Sequence, residues 1–116
     1  MMQSNEAAKI VIKAMEEKKA EDIRIIEISE VSTIADYFII ATGNNPNQVH
    51  TISDFIEEQL GKNGIHPKQI EGYQNANWVL MDYGDLIVHI FDKENRLFYN
   101  LERIWRDGKQ IEADQL

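Results

Sequence analysis

The stretch Trp78-Val79-Leu80-Met81-Asp82-Tyr83-Gly84-Asp85-Leu86-Ile87-Val88-His89-Ile90-Phe91 restricts the fold of this chain more than any other segment. Both arms are apolar and rich in β-formers, and a glycine able to take positive φ stands between them. The segment therefore predicts a hairpin turning at Tyr83-Gly84. Side chains alternate across a strand, which sorts the ribbon into two faces. Val79, Met81, Leu86, Val88 and Ile90 form a wholly aliphatic face suited to a core. The opposite face carries Trp78, Leu80 and Asp82 on one arm, with Asp85, Ile87 and His89 on the other. A turn at Tyr83-Gly84 sets Asp82 against Asp85 and Trp78 against His89. Like charges directly opposite across a ladder are destabilising. A face that carries that cost together with a Trp and a His is expected to be a surface for another molecule to touch.

Around the hairpin, the remaining periodicities predict a helix, two strands, a helix, a short strand and a last helix. From Asn5 to Lys19, Ala8, Val11, Ile12 and Met15 share one helical face, while Ile10 and Ala14 lie on another. That apolar surface is wider than one packing contact needs. Ile23–Ile28 reads as a strand, and Asp36–Thr42 as a strand buried on both faces. Gly43-Asn44-Asn45-Pro46 ends that strand and opens a helix, with Asn45 as N-cap and Pro46 at the first helical position. This helix presents Val49, Ile52, Ile56 and Leu60 to a core and stops at Gly61 or Gly64. A short strand follows around Lys68–Gly72, and then the hairpin. Asp92 is positioned to cap a final helix with Leu97, Leu101, Ile104 and Trp105 as its buried stripe and Phe98 at the edge. Tyr99 points the other way on that helix, among Glu102, Arg103 and Arg106. The sum is an α/β (α+β) domain, a mixed five-stranded sheet packed by helices. At 116 residues it is a single domain over 1–116, with an ordered core over about 5–106 and a polar tail expected to fray.

Composition narrows the chemistry. With no Cys in the chain, disulfides, thiolate metal sites and Cys nucleophiles are excluded. No apolar run reaches the roughly 18 residues of a spanning helix, so no membrane contact is expected. The first residues lack the basic and apolar regions of a signal peptide, which makes the cytoplasm the expected compartment. Twenty acidic against twelve basic residues give a formal charge of −8. That balance argues against broad binding of phosphate backbones and fits a basic partner, although it equally fits simple solubility.

Several residue sets are candidates for a site. Asp82, Asp85 and His89 lack any standard metal-ligand spacing. At about 3.3 Å per residue, His89 lies some 10 Å or more from the tip carboxylates, too far for one coordination shell. The carboxylates then serve either the turn itself or a partner. Gly43-Asn44-Asn45 sits at a strand-to-helix junction but lacks the second glycine and the Lys-Ser/Thr pair of a phosphate cradle. Thr42 and Ser53 have no adjacent His–acid pair, so no catalytic residue is expected. Tyr99 beside Glu102 and Arg103 is either an innocuous exposed aromatic or a spot able to stack and pair with a partner. Trp78 is either packed internally through its indole N–H or presented for contact.

Several blocks together carry a family resemblance: Ala35-Asp36-Tyr37-Phe38-Ile39-Ile40-Ala41-Thr42-Gly43, Glu71-Gly72, Trp78 through Asp85, Val88-His89-Ile90-Phe91, and Phe98-Tyr99-Asn100-Leu101-Glu102-Arg103-Ile104-Trp105. In this order and spacing the chain resembles the ribosomal silencing factors, also called Iojap-like proteins, over nearly everything from Ala7 to Trp105. The resemblance implies a fold similar to nucleotidyltransferases without their catalytic motif. It also implies binding to the large ribosomal subunit through its universal protein number fourteen. That contact would block joining of the small subunit and repress translation under nutrient limitation. A homodimer in the free state is implied as well, with no cofactor, no metal and no direct sequence-specific nucleic acid binding. Carried onto this sequence, the recognition elements are Trp78, Leu80, Asp82, Tyr83, Asp85 and His89 on the hairpin, and Tyr99, Glu102 and Arg103 on the last helix. Ile10 and Ala14 become the candidate dimer surface. A nucleotidyltransferase needs a Gly-Ser turn followed by closely spaced metal-binding carboxylates. Gly43-Asn44 supplies no Ser and no Asp-x-Asp follows, so an enzyme binding nucleotide or metal is the alternative rather than the expectation.

Overall fold

The computed structural model describes residues 3–28, 35–93 and 109–116. Helix α1 (Ser4–Glu17) is followed by strands β1 (Glu21–Glu27) and β2 (Tyr37–Gly43), then helix α2 (Pro46–Gly61). Strands β3 (Gln69–Glu71), β4 (Trp78–Asp82), β5 (Leu86–Asp92) and β6 (Lys109–Ile111) complete one mixed sheet in the order β3-β4-β5-β2-β1-β6. Only β2 and β5 run parallel, at the centre; the other pairs are antiparallel. The five expected strands are all present. The sixth is an addition: residues 109–111, expected within a fraying tail, instead pair with the outer edge of β1.

Local chemistry explains the helix boundaries. The Asn45 side chain accepts from the Gln48 amide at 2.9 Å, and Pro46 occupies the first turn of α2, where its missing N–H costs nothing. Gln48 also holds α1 to α2, since its Nε2 donates to the carbonyls of Lys18 and Lys19 at the end of α1. Both helices pack on one face of the sheet. Val11 and Met15 of α1 and Val49, Ile52, Ile56 and Leu60 of α2 are fully buried against Ile39, Ala41, Val79, Met81, Val88 and Ile90. Each such side chain contributes about 1.5–3 kcal/mol by leaving water. The opposite face holds a smaller buried cluster of Ile26, Ile28, Ala35, Phe38, Ile40, Ile87 and Phe91, with Trp78 and Leu80 at its margin.

The hairpin register differs from the expected one. Asp82 pairs with Ile87, Leu80 with His89 and Trp78 with Phe91. The turn is Gly84-Asp85, closed by a bond from the Tyr83 amide to the Leu86 carbonyl. Gly84 at φ +88° takes the first turn position, which glycine reaches without steric penalty. The ladder is thus displaced by two residues. Because strand side chains repeat every two, every residue within the two strands keeps its face, while Asp85 leaves the ladder for the turn and its opposition to Asp82 disappears.

The wide apolar surface of α1 is also used within the chain. Ala14 is buried and Ile10 packs partly buried against the same core. Ala14 is therefore not open to a second copy, and only Ile10 of that pair keeps any exposure. The expected last helix, with Tyr99, Glu102 and Arg103, lies outside the described residues.

Candidate docking surface

On the face away from α1 and α2, strand pairing lines side chains up in rows. One row runs Gln69, Asp82, Ile87, Phe38 and Ile26; the next runs Glu71, Leu80, His89, Ile40 and Arg24; a third runs Trp78, Phe91 and Thr42. Burial changes along each row. Members on β5 and β2 are buried, Trp78, Leu80 and Asp82 on β4 are half-buried, and Gln69 and Glu71 on β3 are exposed. At its β3–β4 edge this face therefore presents an accessible strip, apolar at Trp78 and Leu80 and acidic at Glu71 and Asp82, while Arg24 is exposed at the β1 end. Gln69 donates to the Glu71 carboxylate at 2.7 Å, which orders its outer rim.

Beneath the strip lies an aromatic group. The Trp78 indole N–H donates to His89 Nδ1 at 3.0 Å, and its ring stacks on Phe91 with centroids 5.4 Å apart. An indole N–H can only donate, so Nδ1 accepts and the neutral imidazole carries its proton on Nε2. Phe38 packs on the same imidazole at 4.8 Å. His89 is only 3% exposed. It packs against Trp78 and, although expected among the recognition residues, is not an accessible contact. The bond is diagonal, since Trp78 lies opposite Phe91 rather than His89.

The two tip carboxylates have different environments. Asp82 Oδ1 accepts from the Gly84 amide at 2.8 Å, a local turn bond, and its carbonyl accepts from the Lys68 amide at 2.7 Å. Asp85 is held by its backbone, the carbonyl taking the amides of Asp36 and Tyr37, while its exposed carboxylate bonds to no other described residue. The Lys68 side chain lies over Gly84, with its end 3.2 Å from where a β-carbon would stand. Tyr83 faces the other way, onto the main core. Its hydroxyl is buried without a partner among the described residues. Burial first, and the charge of Glu57 second, push this phenol well above the ordinary tyrosine range.

Before β4, the loop from Gly72 to Asn77 is tied to α2. Tyr73 stacks on His50 at 4.3 Å and donates to Asp54 at 2.8 Å, while His50 Nε2 bonds the Tyr73 carbonyl. Asp54 holds the Tyr73 phenol above its ordinary pKa. Gly72, at φ +77°, lies where a β-carbon would overlap the Trp78 carbonyl, so only glycine fits there. Sequence reasoning missed this set and missed Gln69 and Glu71. His50 and Asp54 are one helical turn apart and therefore share a face, but Tyr73 reaches them only through the fold. Alternation around Ile70 puts Gln69 and Glu71 together, yet pairing decides on which face.

Among the described residues, no three His, Asp or Glu side chains converge as a metal site, and no helix is long and apolar enough to cross a membrane. The whole chain, residues 1–116, matches the family model described as ribosomal silencing factor during starvation. The ribosomal silencing factor RsfS of Bacillus subtilis is 42% identical over 113 residues, covering 97% of this chain and 96% of that protein. A crystal structure of a Chromobacterium violaceum protein superposes with a TM-score of 0.87 at 30% identity, over 96% of this chain and 92% of that one. A Bacillus halodurans crystal structure gives a TM-score of 0.83 at 36% identity, over 92% and 97% of the two chains.

Proposed function

The chain belongs to the ribosomal silencing factor family, and from that premise we propose that it acts as a steric repressor of translation. It docks on the large ribosomal subunit through the subunit's universal protein number fourteen and blocks joining of the small subunit when nutrients are limiting. It works in the cytoplasm, as a homodimer when free, and without a catalytic step. The observation that most supports docking here is the strip on the β3–β4 edge. Trp78 and Leu80 are half-buried apolar groups on a paired strand, flanked by Glu71 and Asp82. Interfaces concentrate their energy in such preordered apolar anchors, while rim charges set register and speed encounter. The net charge of −8 favours a basic partner.

Leu80→Arg tests this reading better than a change at Trp78, because Trp78 also holds His89 and Phe91. Leu80→Arg should remove cosedimentation with purified large subunits and restore subunit joining measured by light scattering, with thermal unfolding little changed. A folded Leu80→Arg protein that still cosediments and still blocks joining would sink the proposal.

A further inference from the structure

A cavity of about 330 Å³ opens between the first turn of α1, the loop after α2 and the β4–β5 turn. Its walls include Ala7, Ile65 and Leu86 on the apolar side and Ser4, Tyr83 and Asp85 on the polar side. At the lower end of the ligand-pocket range, it suits one side chain or a small fragment better than a cofactor. The charges beside it distinguish the sign of an occupant. The Ser4 hydroxyl donates to the Asp36 carboxylate at 2.7 Å, so Asp36 already serves the N-terminal end of α1. Asp85 has no such partner among the described residues, and its backbone is fixed by β2 so that the carboxylate cannot drift away. Glu57 lies close enough to raise the Tyr83 phenol. Of the basic groups here, His66 lines the cavity and Lys68 lies against Gly84, and neither forms an ion pair among the described residues. An anion would meet Asp85 and Asp36 together; a cation would meet one unpaired carboxylate.

We propose that this cavity receives an arginine side chain of the docking partner, its guanidinium on Asp85 and its methylenes along Ala7, Ile65 and Leu86. The inference deepens the docking reading and rests on it for the source of the arginine. A planar guanidinium engages a carboxylate through two parallel N–H bonds and lies favourably on an aromatic face such as Tyr83, neither of which an ammonium does as well. Contact would then wrap from the Trp78–Leu80 strip around the hairpin tip.

The test titrates N-acetylarginine amide into the full chain and follows backbone amides by NMR. Saturable shifts at Gly64, His66 and Leu86 are expected, with N-acetyllysine amide several-fold weaker. Asp85→Asn should weaken arginine binding roughly tenfold, the loss of one charge-assisted pair. No saturable shift there, equal binding of both amides, or unchanged binding by Asp85→Asn overturns the inference. Sedimentation with large subunits separates it from the docking reading, using Asn63→Trp to cover the mouth and an unfolding curve to confirm folding. A marked loss of cosedimentation by Asn63→Trp supports the inference. Normal cosedimentation by Asn63→Trp beside its loss by Leu80→Arg overturns the cavity and leaves the docking strip standing. Failure of the wild-type chain to cosediment overturns the docking reading, and with it the arginine's source.

Discussion

The two faces of the sheet are built from alternate residues of the same strands, yet they contain different chemistry. Under α1 and α2, β4 and β5 offer Val79, Met81, Leu86, Val88 and Ile90, all buried, with Asp92 buried at the end of β5. On the other face the same strands offer Trp78, Leu80, Asp82, Ile87 and His89, with burial falling from β5 to β4. The first face has to fit two helices, and over Val79 to Ile90 shape is what it supplies. The second carries a directional bond between Trp78 and His89 and ends in an edge where apolar and acidic groups stay accessible. The lesson is that a strand can supply stability and recognition separately, through residues one position apart.

Substitutions can break or sharpen that division. The largest expected effect is Ile90→Ala on the helix side, which should cost about 2–5 kcal/mol in denaturant unfolding by opening a cavity, while subunit binding per folded molecule is kept. Leu80→Ala should show the reverse, a small stability loss and a large binding loss. If the two variants lose equal stability, the division fails. Gly84→Ala comes next, at about 1–2 kcal/mol, because φ +88° is strained for any residue with a β-carbon. The Lys68 end that would be crowded can swing aside, so Lys68→Ala should not rescue the loss measured by chemical denaturation.

A change of opposite sign is expected at Tyr83, which lies where the two regions meet. Tyr83→Phe removes a buried hydroxyl with no partner among the described residues and should raise stability by about 1 kcal/mol. The phenol's folded-state pKa is raised, so its neutral form is favoured by folding. That contribution is complete below the ordinary tyrosine range and is lost as pH rises above about 10. Tyr83→Phe should therefore also flatten the alkaline limb of the stability profile measured by thermal unfolding. The smallest effect is expected at Tyr73, exposed and tied to Asp54. Asp54→Asn should bring the Tyr73 phenol back toward its ordinary pKa in an ultraviolet titration, with no resolvable change in melting temperature.

Much of the architecture was legible because it is written in local periodicity and capping. Asn45 and Pro46 open α2 where their backbone preferences require, and the aliphatic face of the hairpin lies against the helices. The hairpin register lies two residues from the expected one, since Tyr83-Gly84 and Gly84-Asp85 are both turns that glycine permits. Bonds from Asp36, Tyr37 and Lys68 to the tip backbone select the second. The apolar width of α1 suggested a surface for another chain; Ala14 shows that a small residue can extend a core just as well. His89 combined the features of a contact residue, and only its neighbours reveal that it orients Trp78.

The sequence by itself determined which residues share a face, because the two-residue strand repeat survives a slip of two. It also determined the acidic character and the family. Tertiary structure decided which residues meet: the Trp78–His89 bond across the ladder, the alignment of Glu71 with Leu80, and the joining of Tyr73 to α2. It also decided the cavity shared by Ser4, Tyr83 and Asp85. The reason is physical. A face follows from the geometry of one chain segment, whereas a neighbour across strands follows from how the whole domain buries its apolar surface and satisfies its backbone.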